Sequence, residues 1–369
     1  MTATVSIAGQ DDLDAFREAV RDFLAARAPR EHVRQVIAAG GVDSSATWTR
    51  AAREIGVQGL LIPETLGGAG APPGVAAVAI GELGAALTVG PFLPTLVGSD
   101  ALAASGQADA AAAIAAGEAK VALDFATLKA PIAVERTGPS SVVLDAAALR
   151  VPDVLDADIL LVGVTSESAS GLAIIRTDDR AVAVKELRSI DLTRPVGRVA
   201  VNAATAPFVQ DGGDLLARAG DLAALLLASE QIGIIDRVLR DDVAYLLDRE
   251  AFGRKAGSFQ AVKHQLAQIY CHWEQAVALH DHALAVFERP AERTHAVDAL
   301  QCFVAPAAVT ATTVGLRLLG GIGFTWEHDA HLYFRRARAD ESMLENIHVR
   351  RSRLAGSLGL RTPVSGDDA

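Results

Sequence analysis

The chain has 369 residues, half of them hydrophobic and 21% charged, with a formal net charge of -11. That length predicts two or three cores, and the negative balance excludes nucleic acid as a general partner, because phosphate binding needs a positive surface. No run approaches the roughly 20 uninterrupted apolar residues that cross a bilayer, and the two cysteines, Cys271 and Cys302, exclude a disulfide framework and a CxxC zinc site.

The start, Met1-Thr2-Ala3-Thr4-Val5, has no basic stretch before an apolar core, so no secretory signal is read there and a reducing cytoplasm is the expected location. From Asp11 to about Gly106 the pattern is helical: Leu13, Phe16, Val20, Phe23 and Leu24 form an apolar stripe on one face. A turn-rich insert, Pro63 to Pro73, leads into a helix predicted over Val75 to Leu87, small and apolar almost throughout. From Lys120 to about Val209 the texture changes to short β-rich runs, Ser141–Leu144, Ile159–Val164 and Gly171–Ile175, spaced by turn residues. Beyond Asp211 helices return: Leu215 to Leu247 has no proline, and Ala261 to Phe287 is periodic. Helices, then strands, then helices predict an α+β chain with an inserted β domain, divided at 1–117, 118–210 and 211–369. No P-loop appears and no GxGxxG follows a predicted strand, so a Rossmann domain has no fingerprint here.

Two segments of the last zone carry the most chemistry. Arg249-Glu250-Ala251-Phe252-Gly253-Arg254-Lys255 breaks a helical pattern while presenting a guanidinium and an aromatic ring, and Phe259 and Gln260 follow closely. Leu319-Gly320-Gly321-Ile322-Gly323-Phe324-Thr325-Trp326 lets the backbone approach something flat or anionic. Two arginine clusters, Arg335, Arg336 and Arg338, then Arg350, Arg351 and Arg353, read either as a patch for an anionic ligand or as solvated helix faces.

These segments, with Ile55 to Glu64 and Gly67-Gly68-Ala69-Gly70, resemble the acyl-CoA dehydrogenases, flavoproteins that oxidise acyl-CoA thioesters to enoyl-CoA. The resemblance implies an amino-terminal helical domain, a middle β-barrel domain and a carboxy-terminal four-helix bundle, with FAD as cofactor and an electron-transfer flavoprotein as acceptor. It also implies that Arg249, Phe252, Gln260, Gly320 and Gly321 reach a flavin dinucleotide held mainly by a neighbouring subunit. Arg317 stands where the family usually has a glutamine, which redirects that cofactor contact. Without the resemblance, Arg249 reads as a solvated helix residue, Phe252 as core and the glycines as a helix end.

The family's TEPxAGSD-like loop and KxWITNG-like strand, which wall the flavin ring, have no counterpart. Val121 to Lys129 stands in that region. The reaction also requires a carboxylate for the α proton. Register from the Arg249 segment puts one family position of this base on Ala223, and counting from Arg335 puts the other on Leu344, with Glu345 one residue, or about 100° of helix, further on. Glu345 is the remaining candidate, ahead of Glu327 and Glu341. The chain thus resembles the short subunits of actinobacterial heteromeric enzymes acting on bulky substrates such as steroid side-chain CoA thioesters. A homo-oligomer using Glu345 and a flavin-free scaffold are the alternatives. A monomer is not expected, because the retained residues serve a neighbour and Leu215 to Leu247 is apolar beyond what one face needs.

Overall fold

The computed structural model describes residues 9–41, 44–166 and 169–360. Six helices come first: α1 (Gln10–Arg27), α2 (Arg30–Ala38), α3 (Ser45–Glu54), α4 (Pro73–Ala85), α5 (Phe92–Ala104) and α6 (Ala108–Ala115). Eight strands follow: β1 (Val121–Asp124), β2 (Ile132–Ala133), β3 (Glu135–Gly138), β4 (Ser141–Pro152), β5 (Ile159–Thr165), β6 (Ser170–Arg176), β7 (Val182–Leu187) and β8 (Val196–Gln210). The chain returns to helix in α7 (Leu215–Asp248), makes a two-residue-strand hairpin, β9 (Glu250–Ala251) and β10 (Arg254–Lys255), and ends with α8 (Gln260–Val286), α9 (Pro290–Leu318), α10 (Ala330–Asp340) and α11 (Ile347–Ser357).

The helix–strand–helix order matches the expectation, with one correction in the middle. The strands run β1-β5-β6-β8-β4-β3, with β2 on β5 and β7 on β8, and the end strands β1 and β3 do not pair. The sheet is therefore open and mixed, not a closed barrel. Its hub is β8, whose fifteen residues pair with β4 and β7 at one end and with β6 at the other. Register shifts in β4 between Leu144 and Leu149 bend the sheet locally.

The backbone of the helical region is α7. Asp211 accepts hydrogen bonds from the amides of Leu215 (2.8 Å) and Leu216 (3.4 Å), satisfying donors that the first turn cannot. From Leu222 to Ala228 every side chain is buried, in one cluster with α4, α5, α9 and β1. Its apolarity is thus used inside the chain and says nothing about assembly. The approach of α4 is close enough that a Cβ on Gly233 would strike the Gly81 carbonyl. α9 is long and apolar enough to cross a membrane, yet 61% of its most apolar window is buried within the fold.

Candidate functional site

The candidate residues fall into two places. At the carboxy-terminal end of α7, Arg249 leaves the helix in an extended conformation, exposed and with no ion pair to any described residue. The hairpin turns on Phe252 and Gly253, at φ +52° and +76°. Two positive φ values in a two-residue loop follow the twist of the flanking strands, but the first position favours Asn, Asp or Gly. A phenylalanine there costs roughly 1–2 kcal/mol of backbone strain. The residue is 95% exposed, with Phe259 edge-on at 6.2 Å between ring centroids, so burial does not offset that strain. Gln260, the first residue of α8, is exposed as well.

The glycine segment lies at the same end of the molecule. Tyr245, one turn before Arg249, packs edge-on against His328 at 6.4 Å. Gly320 adopts φ +69°, and a Cβ on Gly320 or Gly321 would meet only open space. Arg317 is exposed in the last turn of α9, where its charge also suits the helix dipole. Phe324 and Trp326 stand 67% and 60% exposed beside them.

The second place lies between the sheet and the bundle. Ala223 is fully buried, in the same core as Phe125 and Leu128, and Met343 and Leu344 pack against that core. Glu345 does not face a reacting atom in this arrangement. Arg353 grips its carboxylate through two hydrogen bonds of 3.1 and 2.7 Å, and both Arg353 and Arg350 also bind Asp298 of α9. Burial alone would raise the Glu345 pKa, but the hydrogen bonds and charge of Arg353, then Arg350 and Lys129, hold it below the ordinary range. A carboxylate so stabilised as an anion is a poor proton acceptor. Glu341 pairs with Arg338 at the surface, and Glu327 is exposed in the loop after the glycines.

Each arginine cluster is split: Arg338 and Arg351 are exposed, as a solvated helix face requires, but their neighbours are not. Arg336 and Arg350 are 2% and 4% exposed and bound to internal carboxylates, neither solvated nor open to a ligand. Arg336 belongs to a buried network that sequence reasoning missed. It binds Glu230 of α7 at 2.8 Å and Asp191 at 2.5 Å, while Arg194 binds Glu230 and Asp340 at 2.6 Å each. Asp153 completes it, 3.8 Å from Arg194. Four carboxyls face two guanidiniums. Burial and the neighbouring Glu230 push Asp340 well above its usual range, whereas Glu230, buried but facing both arginines, is held below its own. The network ties the β7–β8 connection to α7 and α10, which no local sequence signal announces.

Whether a flavin fits depends on the donors present. In the segment standing for the ring-walling loop, Thr127 Oγ1 accepts from the Gly163 amide and donates to the Asp124 carbonyl, Asp124 accepts from the Ala126 amide, and Phe125 and Leu128 are core. The hydroxyl of Thr127 and the carboxylate of Asp124 are spent on the segment's own backbone and on β5, which leaves neither free for a flavin ring, so the segment does not fit one. The exposed, unpaired Arg249, with Phe252, Gln260, Arg317 and the open glycines, does fit the phosphate-bearing part of a dinucleotide presented from outside.

Helical, sheet and helical layers in this order define a fold used by oxidoreductases. The acyl-CoA dehydrogenase N-terminal domain pattern matches residues 10–116 and the C-terminal domain pattern residues 211–355. Acyl-CoA dehydrogenase IpdE2 of Mycobacterium tuberculosis is 34% identical over 342 residues, covering 91% of this chain and 94% of that protein. Among solved structures, a variant of the Tcur3481-Tcur3483 steroid ACAD superposes with TM-score 0.88 at 24% identity, covering 95% of this chain and 98% of that one. The ChsE4-ChsE5 complex from Mycobacterium tuberculosis superposes with TM-score 0.88 at 23% identity, covering 98% of this chain and 100% of that one. The chain belongs to the acyl-CoA dehydrogenase family.

Proposed function

We propose that this chain is the subunit of a two-chain, FAD-dependent acyl-CoA dehydrogenase that lacks the catalytic base and completes the flavin site of its partner. The observation that carries this reading is Phe252: a strained residue with its ring in solvent, beside an unpaired Arg249, offers both groups to another surface. Arg249, Gln260 and Arg317 would bind the dinucleotide, with the backbone at Gly320 and Gly321 close against it. When bound, FAD supplies the hydride acceptor for the β hydrogen as the acyl-CoA becomes the 2,3-enoyl-CoA. On this reading the α proton goes to a carboxylate of the other subunit, because Ala223 and Leu344 cannot take it and Glu345 is held as an anion by Arg353. Electrons would leave to an electron-transfer flavoprotein. The name of IpdE2 supports an acyl-CoA substrate, that of the steroid ACAD fold-mate supports a bulky one such as a steroid side-chain thioester, and the ChsE4-ChsE5 complex offers a precedent for two chains of this fold together.

The chain purified alone is expected to be colourless, and to carry flavin absorbance when co-purified with a related partner chain. Stoichiometric flavin on the isolated chain would refute the pairing and favour a homo-oligomer. In the assembled enzyme, Arg249→Ala should weaken flavin retention by roughly 1.5–3 kcal/mol, the range for hydrogen bonds to charged groups. Arg249→Lys should recover only part of it, since an ammonium makes no bidentate contact; equal flavin content in all three would return Arg249 to a solvated role. Glu345→Gln should change turnover by less than about tenfold, or roughly 1.4 kcal/mol. Loss of a true base costs about 100-fold or more, and a fall of that size at constant flavin content would make Glu345 the proton acceptor.

A further inference from the structure

A cavity of about 440 Å³ is lined by α1, α4, α7 and α8, and it shares no residue with the Arg249 hairpin, the glycine segment or the region of Ala223 and Leu344. Its floor includes bare backbone where α4 meets α7 at Gly81 and Gly233, and its walls are apolar: Leu13 of α1, Ala77 and Val78 of α4, Ile232 of α7, and Val277 and Leu284 of α8. A volume of that size takes a small organic molecule. The charged side chains around it cancel, with Arg17, Arg21 and Arg240 against Glu82, Asp236 and Asp281. Arg21 holds Glu82 at 2.8 Å, Arg17 lies 3.7 Å from the same carboxylate, and Arg240 holds Asp236 at 2.8 Å. Asp281 is the acid without an ion pair to a described residue; burial raises its pKa, and the charge of Arg17 opposes that rise. Neither sign is left in surplus for a charged ligand.

Among these walls Ser229 of α7 and His280 of α8 supply uncharged polar groups. The Ser229 hydroxyl lies 2.9 Å from the Leu225 carbonyl and 2.7 Å from His280 Nε2. A carbonyl only accepts, so both contacts are hydrogen bonds when the serine donates to Leu225 and accepts from a protonated Nε2. That tautomer, assigned from the hydrogen-bond network, leaves Nδ1 as a bare lone pair, and Nδ1 has no partner among the described residues. Burial pushes the imidazole from 6.5 down to about 4, so at neutral pH the ring is uncharged and the lone pair is kept. An acceptor set in an apolar wall loses free energy unless a donor reaches it. A ketone, ether or ester brings none, and an amine or a carboxylic acid enters charged where no counter-charge is spare.

We propose that this cavity binds a neutral, mainly apolar alcohol, its hydroxyl donating to His280 Nδ1 and its hydrocarbon body packed between Val78, Ile232, Val277 and Leu284. A hydroxylated ring system and a chain alcohol share that chemistry. The site goes beyond the pairing reading and does not depend on which chain holds the flavin or the base.

The test is titration of the full chain, alone and in its complex, with one hydrocarbon cage carrying four different groups: 1-adamantanol, 2-adamantanone, 1-adamantylamine and adamantane-1-carboxylate. Calorimetry gives the affinity, and the fluorescence of Trp273, whose ring lines the cavity, reports the place. Saturable binding of one 1-adamantanol per chain is expected, with the ketone weaker by about tenfold for want of a donor and the two ions weaker still. His280→Phe should abolish the preference for alcohol over ketone, and His280→Gln, which keeps an acceptor, should restore part of it; a histidine kept only to bridge α7 and α8 would leave that preference unchanged. Val78→Phe fills the volume from α4, leaves His280 in place, and should remove binding of all four. Comparing 1-decanol with 1-adamantanol tells a chain alcohol from a ring alcohol. The proposal is overturned if neither alcohol saturates, if the ketone, amine and carboxylate bind as tightly as the alcohol, or if His280→Phe and Val78→Phe both bind as the wild type does. Those failures leave flavin content in the assembled enzyme, and so the pairing reading, untouched.

Discussion

Arg336→Met is expected to lower the unfolding free energy by about 3–5 kcal/mol, the cost of removing one partner from a buried ion network. Methionine keeps the apolar stem but removes the guanidinium, with its charge and its hydrogen bonds to Thr193. Glu230 and Asp191 would each lose a counter-charge in a site where Arg336 is 2% exposed. Four carboxyls already face two arginines there, and losing one leaves a single guanidinium, Arg194, for all of them. Because the network joins the β7–β8 connection to α7 and α10, the variant should also melt less cooperatively, with sheet and helix signals separating. Urea unfolding followed by far-ultraviolet and aromatic signals reads both effects. A shift under about 1 kcal/mol would mean that apolar packing alone holds the sheet to the bundle.

A second large effect is expected from Asp242, buried in α7 against Gly315 of α9, with its Oδ2 accepting no hydrogen bond from any described residue. Burial, and then the charge of Asp241, push its carboxyl from 3.8 to about 7. The folded chain therefore holds this proton more tightly than the unfolded chain does. Its contribution is fully present below about pH 4 and is lost as pH rises through about 7, a span worth about 4 kcal/mol. Asp242→Asn keeps the shape and removes the titration, so the variant should be the more stable protein at pH 8, by up to about 4 kcal/mol, and nearly equal to wild type near pH 4. Some pH dependence should survive in the variant, since burial also pushes Asp153 up to about 7. Melting curves of both proteins from pH 4 to 8 decide it: a constant difference across that range would show that Asp242 is not the titrating group.

Part of this protein is written locally and part is not. Local signals located two of the long helices: the proline-free run predicted from Leu215 to Leu247 is α7, Leu215–Asp248, and the periodic run from Ala261 to Phe287 is α8, Gln260–Val286. Alternation and turn residues located β5 and β6 to within a residue at most ends, because the backbone period of a strand is a property of neighbours along the chain. β4 runs eight residues beyond its apolar start, since pairing with β8 extends it through Arg150, which alternation cannot foresee. The family was legible in the Arg249 and glycine segments, whose turn chemistry is local.

Burial and pairing were settled only by tertiary structure. Arg336 and Arg338 are two residues apart in one helix, yet one is sealed against Glu230 and the other pairs with Glu341 at the surface. Glu345 reads as a free carboxylate until α11 brings Arg353 and Arg350 onto it beside Asp298. Arg150, Arg198 and Lys185 become one row only when β4 and β7 settle on either side of β8. The sequence by itself determined which elements form and the family they belong to, because propensity, periodicity and turn geometry act over a few residues. Which charges are buried, matched or left opposed was decided by contacts between distant segments, because electrostatic energy depends on distance and solvent exposure in space.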